Sequence, residues 1–318
     1  MEYRVLGQTG ITVSEVGFGA WAIGGDAWGE VDDRDSMAAI RRAMELGVTF
    51  IDTADVYGDG RSEQLVAEAI QGRRQDVVLS TKGGLMGHHR DPAREPVYDR
   101  PERVLEALDA SLRRLRTDHL DVYWCHIWWD KHEETEAFLS AFERMKRDGK
   151  VRAVGVSTDR LDHLRHFAQD GGIDAVQVDY SIVNRAPEAD ILPYAESQGL
   201  GVVVRGPLGK GLLTGKFRAD STFAPGDIRE GWPEDPAFRS NLEKVDAIRD
   251  LVEEGTLGQL AIRFVLANPA VTVAIPGAKT PAQASENAGA SRRPLLSDGE
   301  RSRIDEVAPP PAYPSPQR

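Results

Sequence analysis

Cysteine is almost missing: Cys125 stands alone among 318 residues, so the chain can form no internal disulfide. No Cys/His grouping has the spacing of a structural zinc site, and neither the adjoining His88 and His89 nor any other pair gives an H-x-x-x-H or H-E-x-x-H pattern. No metal is expected, and a reduced, cytoplasmic setting is. Long apolar runs are also lacking. None approaches the ~18 residues that a bilayer demands, and MEYRVLGQTG has none of the apolar stretch of a secretion signal. A membrane partner is therefore not expected. Positive charge is the third deficit, with 39 Lys and Arg against 51 Asp and Glu and a net charge of −12. Such a surface repels the phosphates of nucleic acid, so no nucleic-acid partner is expected either.

What is present is ordinary globular composition, with 41% hydrophobic and 28% charged residues, which excludes disorder for most of the chain. Eight short apolar runs recur: VGFGA near 16, VTFIDTA near 48, VVLSTK near 77, LDVYWCH near 120, VRAVGVS near 151, AVQVDY near 175, GVVVRG near 201 and VTVAIPG near 271. Stretches with apolar residues three and four apart separate most of them, such as RDSMAAIRRAMELG and RPERVLEALDASLRRL. Continuous rather than alternating apolar strands mark a parallel sheet covered on both faces. Eight strand–helix units predict an α/β fold, a (β/α)8 TIM barrel. Residues 1–16, around a Gln8-Thr9-Gly10 turn, read as a hairpin capping the barrel floor. Residues 209–237 form a long loop after the seventh strand, before the helix SNLEKVDAIRDLVEE. No linker divides the chain, so residues 1–318 are expected to be one domain, with 308–318, APPPAYPSPQR, as a flexible tail. Gly17-Phe18-Gly19-Ala20-Trp21-Ala22 formally matches a dinucleotide fingerprint, but Ile23-Gly24-Gly25 follows where a helix should open.

In such a barrel the C-terminal strand ends share one mouth. The second strand ends at Asp52 and its loop delivers Tyr57, the third ends at Lys82, and the fourth ends at His126. An ammonium beside a phenol favours the phenolate and lowers its pKa. Lys82 can supply that charge, Asp52 can hold Lys82 protonated, and His126 can donate to a substrate oxygen. Such a set suits protonating a carbonyl oxygen as hydride reaches its carbon. Cys125, next to His126 on a strand, should face the helices instead and be inert.

FIDTADVYGDGRSEQLVAEAI, VVLSTKGG, LDVYWCH, GKVRAVGVS, VQVDYSIVNR, GPLGKGLLTGKF and VAIPGAKTPAQASEN together resemble the aldo-keto reductase family, from the hairpin to about residue 290. The resemblance implies an NAD(P)H-dependent oxidoreductase with Tyr57 as general acid, Lys82 as its modulator, Asp52 as the lysine's partner and His126 as substrate orienter. It implies Ser157 and Gln177 at the nicotinamide carboxamide and Gly209 and Lys216 over the pyrophosphate, within a wall that includes Arg205, Gly206, Pro207 and Leu208. Ile275 to Thr280, with Gly277 and Lys279, would hold an adenosine 2′-phosphate at the start of the last helix, and Gln283, Glu286 and Asn287 would lie near the adenine. Lys279 favours NADPH over NADH.

This chain departs from the family pattern at three places. Arg205 replaces a common aromatic, Thr158 follows Ser157 where asparagine is usual, and Ile127-Trp128-Trp129-Asp130 follows His126. Trp21 and Trp128 are the expected aromatic lining of a pocket for a small-molecule carbonyl substrate. Two further readings stay open at this point: a cofactor-binding, redox-sensing subunit with little turnover, and an aldolase forming a Schiff base on Lys82. The oligomeric state and the individual substrate are left open.

Overall fold

The computed structural model describes residues 1–25, 27–84, 98–126, 132–252 and 254–311, the side chains of 132–135 excepted. Strands β1 (Tyr3–Val5) and β2 (Thr12–Ser14) pair antiparallel as the expected hairpin. Eight parallel strands follow: β3 (Phe18–Gly19), β4 (Phe50–Asp52), β5 (Val78–Gly83), β6 (Leu120–Cys125), β7 (Val151–Ser157), β8 (Ala175–Asp179), β9 (Gly201–Arg205) and β10 (Val273–Ala274). They neighbour one another in sequence order, and parallel bridges Val16–Ala274 and Gly19–Gly277 join the first to the last. These are the eight runs read from the sequence, in a (β/α)8 barrel.

Helices α1 (Asp33–Glu45), α2 (Arg61–Ala69), α3 (Pro101–Leu115), α4 (His132–Arg147), α5 (Leu161–Ala168) and α6 (Ile191–Gln198) each return the chain to the next strand. The crossover from β9 to β10 carries two, α7 (Pro236–Ala247) and α8 (Leu257–Leu266). The helix expected from Ser240 begins earlier, because the Asp235 side chain accepts from Ala237 N at 2.8 Å and Pro236 presets the first turn. Helices α9 (Pro281–Gly289) and α10 (Asp298–Val307) complete the chain. The expected tail is fastened at its first residue: Ala308 is buried and its carbonyl accepts from Arg185 Nη1 at 2.6 Å. Residues 312–318 of that tail lie outside the described residues.

The core has two layers. Leu6, Ile11 and Val13 of the hairpin join Phe50, Val122, Trp124, Val203 and Val273 inside the barrel, which plugs its floor. A larger outer layer lies between strands and helices, and Cys125 belongs to it, as alternation along β6 requires. Gly155 lies at the crowded centre, where a Cβ would collide with the Trp124 ring and stand 2.5 Å from the Ala175 carbonyl oxygen. Gly155→Ala should therefore destabilise the protein by about 1–3 kcal/mol. Its urea unfolding midpoint should fall with an unchanged slope, and a midpoint equal to wild type would show that the site relaxes freely.

Candidate active site

Tyr57 is presented by the turn that follows β4, and a second backbone segment fixes that turn. Gly58 has φ +59, and a Cβ there would run into the Gly24 carbonyl; a Cβ on Gly24 would meet the Tyr57 carbonyl carbon at 2.8 Å. Only glycine at both positions lets the two loops touch. The Trp21 ring then stacks on Tyr57 with centroids 5.8 Å apart, and Trp28 stands edge-on to Trp21 at 5.1 Å. His126 follows β6, its N–H donating to Gly83 O at 2.8 Å, and its ring lies edge-on to Tyr57 at 5.5 Å.

Behind the phenol, Lys82 has no exposed surface. Its Nζ donates to Asp52 Oδ2 at 2.5 Å, Thr53 O at 2.7 Å and Tyr57 Oη at 3.3 Å, so all three N–H bonds are used. Asp52 Oδ1 accepts from Ser80 Oγ at 2.5 Å and Gln177 Nε2 at 3.1 Å, and Ser80 Oγ accepts from Trp124 Nε1 at 2.8 Å. Burial pulls the Lys82 ammonium down, but Asp52 and then Tyr57 hold it above its usual pKa. The phenol differs from the sequence expectation. Burial pushes the Tyr57 pKa up, and the opposing pull of Lys82 does not overcome it, so the net direction is upward rather than downward. A lysine this enclosed and fully hydrogen-bonded is also ill suited to attack a carbonyl, which argues against the Schiff-base reading.

A cavity of about 370 Å³ opens over this group. Asp52, Tyr57, His126, Ser157, Gln177, Arg205, Gly206, Pro207, Leu208, Lys216, Gly277, Lys279, Gln283, Glu286, Asn287 and Trp21 all border it. Lys82 sits behind its wall, and Thr158 and Gly209 are not at its surface. Thr158 instead ties β7 to β8 through its N–H to Gln177 O at 3.0 Å. Trp128 lies outside the described residues. Arg205 is clamped between Asp159 and Asp179, the latter at 3.2 Å. A Cβ on Gly206, at φ +66, would stand 2.7 Å from Asp179 Oδ1, so glycine there admits the clamp. The Lys279 N–H, expected to face a phosphate, donates to Gln283 Oε1 at 2.8 Å.

Residues 15–309 match the model of the aldo/keto reductase family. The chain belongs to that family. It is 35% identical over 290 residues to aldo-keto reductase YhdN of Bacillus subtilis, covering 89% of this chain and 86% of the relative. It is 34% identical over 329 residues to an NADH-specific methylglyoxal reductase of Escherichia coli, covering 95% and 97%. An aldo/keto reductase of Klebsiella pneumoniae, solved in complex with NADP and acetate, superposes with a TM-score of 0.74 at 28% identity, covering 98% of this chain and 95% of that one. As an aldo-keto reductase, the protein is an oxidoreductase.

The sequence reading missed several cavity residues of this aldo-keto reductase, among them Trp28, Asp179, Lys210 and Arg229. Asp179 was detectable as the polar end of an apolar strand; Arg229 and Trp28 sit in loops without periodicity. The raised Tyr57 and Lys82 pKa values carry a consequence for stability. Above pH ~10 an unfolded chain loses both protons while the folded one keeps them, so stability falls as pH rises through that range. Tyrosinate absorbance, taken as wild type minus Tyr57→Phe, should place the Tyr57 titration above that of a free tyrosine. A midpoint below the free value would mean that Lys82 outweighs burial.

Proposed function

We propose that this protein reduces aldehydes or ketones to alcohols, with Tyr57 as the proton donor and NADPH as the preferred reductant, on one barrel domain spanning the chain. The observation that carries the reading is the saturated Lys82 ammonium. Because Lys82 donates to Tyr57 Oη, the phenol must turn its own O–H away from the lysine, toward the cavity.

A nicotinamide dinucleotide fits the residues present. The exposed Lys216 ammonium, which borders the cavity, has no hydrogen-bond or ion-pair partner among the described residues, and Lys279 lines the same end. When bound, the nicotinamide supplies the hydride. The chain's own residues then manage the proton. Tyr57 gives its proton to the carbonyl oxygen as negative charge develops there, and the Lys82 ammonium offsets the phenolate left behind. Asp52 keeps that ammonium charged, and His126 orients the oxygen by hydrogen bonding. A phenol held above its usual pKa stays protonated at neutral pH and is ready to act as an acid. NADP accompanies the Klebsiella enzyme and NADH the Escherichia coli relative; the two lysines at the cavity end favour the phosphorylated cofactor here.

A panel of aldehydes and ketones with both reduced cofactors tests the reaction. Tyr57→Phe should lose on the order of 10²- to 10⁴-fold in the chemical step while cofactor affinity stays near wild type. Full turnover in that variant, with chemistry rate-limiting, would remove Tyr57 as the acid. Lys279→Ala should raise the NADPH dissociation constant about tenfold, the loss of one charge-assisted bond of ~1.5–3 kcal/mol less solvent screening, and leave NADH nearly unchanged. Equal weakening of both cofactors would move Lys279 away from the phosphate.

A further inference from the structure

One level below the reacting groups the barrel holds a second polar row. Ser80 lies two residues before Lys82 on β5, and Trp124 two residues before His126 on β6, so each shares the inner face of the group above it. Asp52 and Ser80 are register partners across β4 and β5. Neither Ser80 nor Trp124 has any exposed surface, and Phe50, Val122, Val203 and Val273 share the barrel interior with the indole. Alanine and phenylalanine would fill such positions with no polar group to desolvate.

The direction of each hydrogen bond in the row is fixed. An indole N–H can only donate, so Ser80 Oγ accepts from Trp124 Nε1 at 2.8 Å. The single hydroxyl proton is then left for Asp52 Oδ1, 2.5 Å away. Lys82 holds the other carboxylate oxygen, Oδ2. The charged and titratable groups that face the Tyr57 phenol among the described residues are Lys82, Asp52, Arg205 and His126. Lys82 and Arg205 favour the phenolate, and Asp52 opposes it.

We propose that Ser80 and Trp124 are positioning residues for the carbonyl reduction: the indole commits the hydroxyl proton to Asp52, and that bond sets how much of the Lys82 charge the Tyr57 phenolate meets. The inference rests on the reading of Tyr57 as the proton donor. A donor on Oδ1 draws carboxylate charge away from the ammonium and keeps Oδ2 turned toward it. Without it, Asp52 spends more of its charge on Lys82, and the phenolate left by proton transfer is less well offset.

Titration, kinetics and stability together distinguish this role from a merely structural hydrogen bond. Tyrosinate absorbance, taken as each variant minus the same variant with Tyr57→Phe, should place the Tyr57 titration higher in Ser80→Ala than in wild type. The chemical step should slow roughly tenfold, with cofactor affinity and carbonyl KM within twofold. Trp124→Phe, which frees the hydroxyl to turn, should lie between. The double variant leaves no stranded polar atom, so it should lose less stability than the two single changes added together. Its chemical step should nevertheless stay as slow as in Ser80→Ala, because Trp124 acts through Ser80. Recovery of wild-type titration and rate in the double variant overturns the proposal. If Ser80→Ala does not fold, the double variant decides. Wild-type protein that reduces carbonyls through Tyr57, with titration and rate unchanged in Ser80→Ala, would sink this inference and leave the proposed function standing. Wild-type protein that reduces no aldehyde or ketone with either cofactor would sink the reading beneath it.

Discussion

An ammonium group taken wholly out of water must find a counter-charge and an acceptor for every N–H, or give up its proton. Lys82 satisfies both conditions with Asp52, the Thr53 carbonyl and Tyr57. Desolvating such a pair costs several kcal/mol per ion, recovered only when the geometry is close and the remaining lone pairs are filled. That requirement explains the chain Trp124 to Ser80 to Asp52 and the donation from Gln177, which together occupy the carboxylate's other oxygen. Trp124 at the centre of the barrel and Tyr57 at its mouth are thereby parts of one hydrogen-bonded unit. The rigidity of the site follows from that connection to the core.

Around this unit the electrostatics change sign over a short distance. The protein as a whole is acidic, yet one end of its cavity gathers Lys216, Arg229 and Lys279. Such a local reversal draws an anion into the cavity while the rest of the surface repels it, so the field itself orients an approaching ligand. Elsewhere on the cavity wall Arg205 is paired with two carboxylates, Asp159 and Asp179, so that group carries no net positive charge.

Much of this was legible in the sequence because parallel strands covered on both faces read as unbroken apolar runs. All eight strands, and with them the convergence of Asp52, Tyr57, Lys82 and His126, follow from that pattern. Helix α8, LGQLAIRFVL, was not distinguished because it is buried all round and shows no polar face to mark a helical period. The direction of the Tyr57 pKa could not be read either, since it is a contest between Lys82, visible in the sequence, and burial, which is not. Arg229 and Trp28 belong to segments whose positions are set by packing across the barrel mouth. The signal present for Arg229 is compositional: aromatic residues interleaved with Asp227 and Arg229 between 217 and 238.

The barrel closes where its two shortest strands meet, β3 and β10, each only two residues long. Few ladder bonds hold that seam: Gly17 N to Ala274 O at 2.8 Å, Gly19 N to Pro276 O at 3.1 Å and Ala274 N to Glu15 O at 2.9 Å. Gly19 and Gly277 on either side of it also form the cavity wall, and the Lys279 bond to Trp28 spans it. In hydrogen-exchange terms so few ladder bonds make this the stave joint of the cask, where sub-global opening is expected to begin. A ligand lying across it acts as a hoop, so its binding energy enters directly into the cohesion of the closed cylinder.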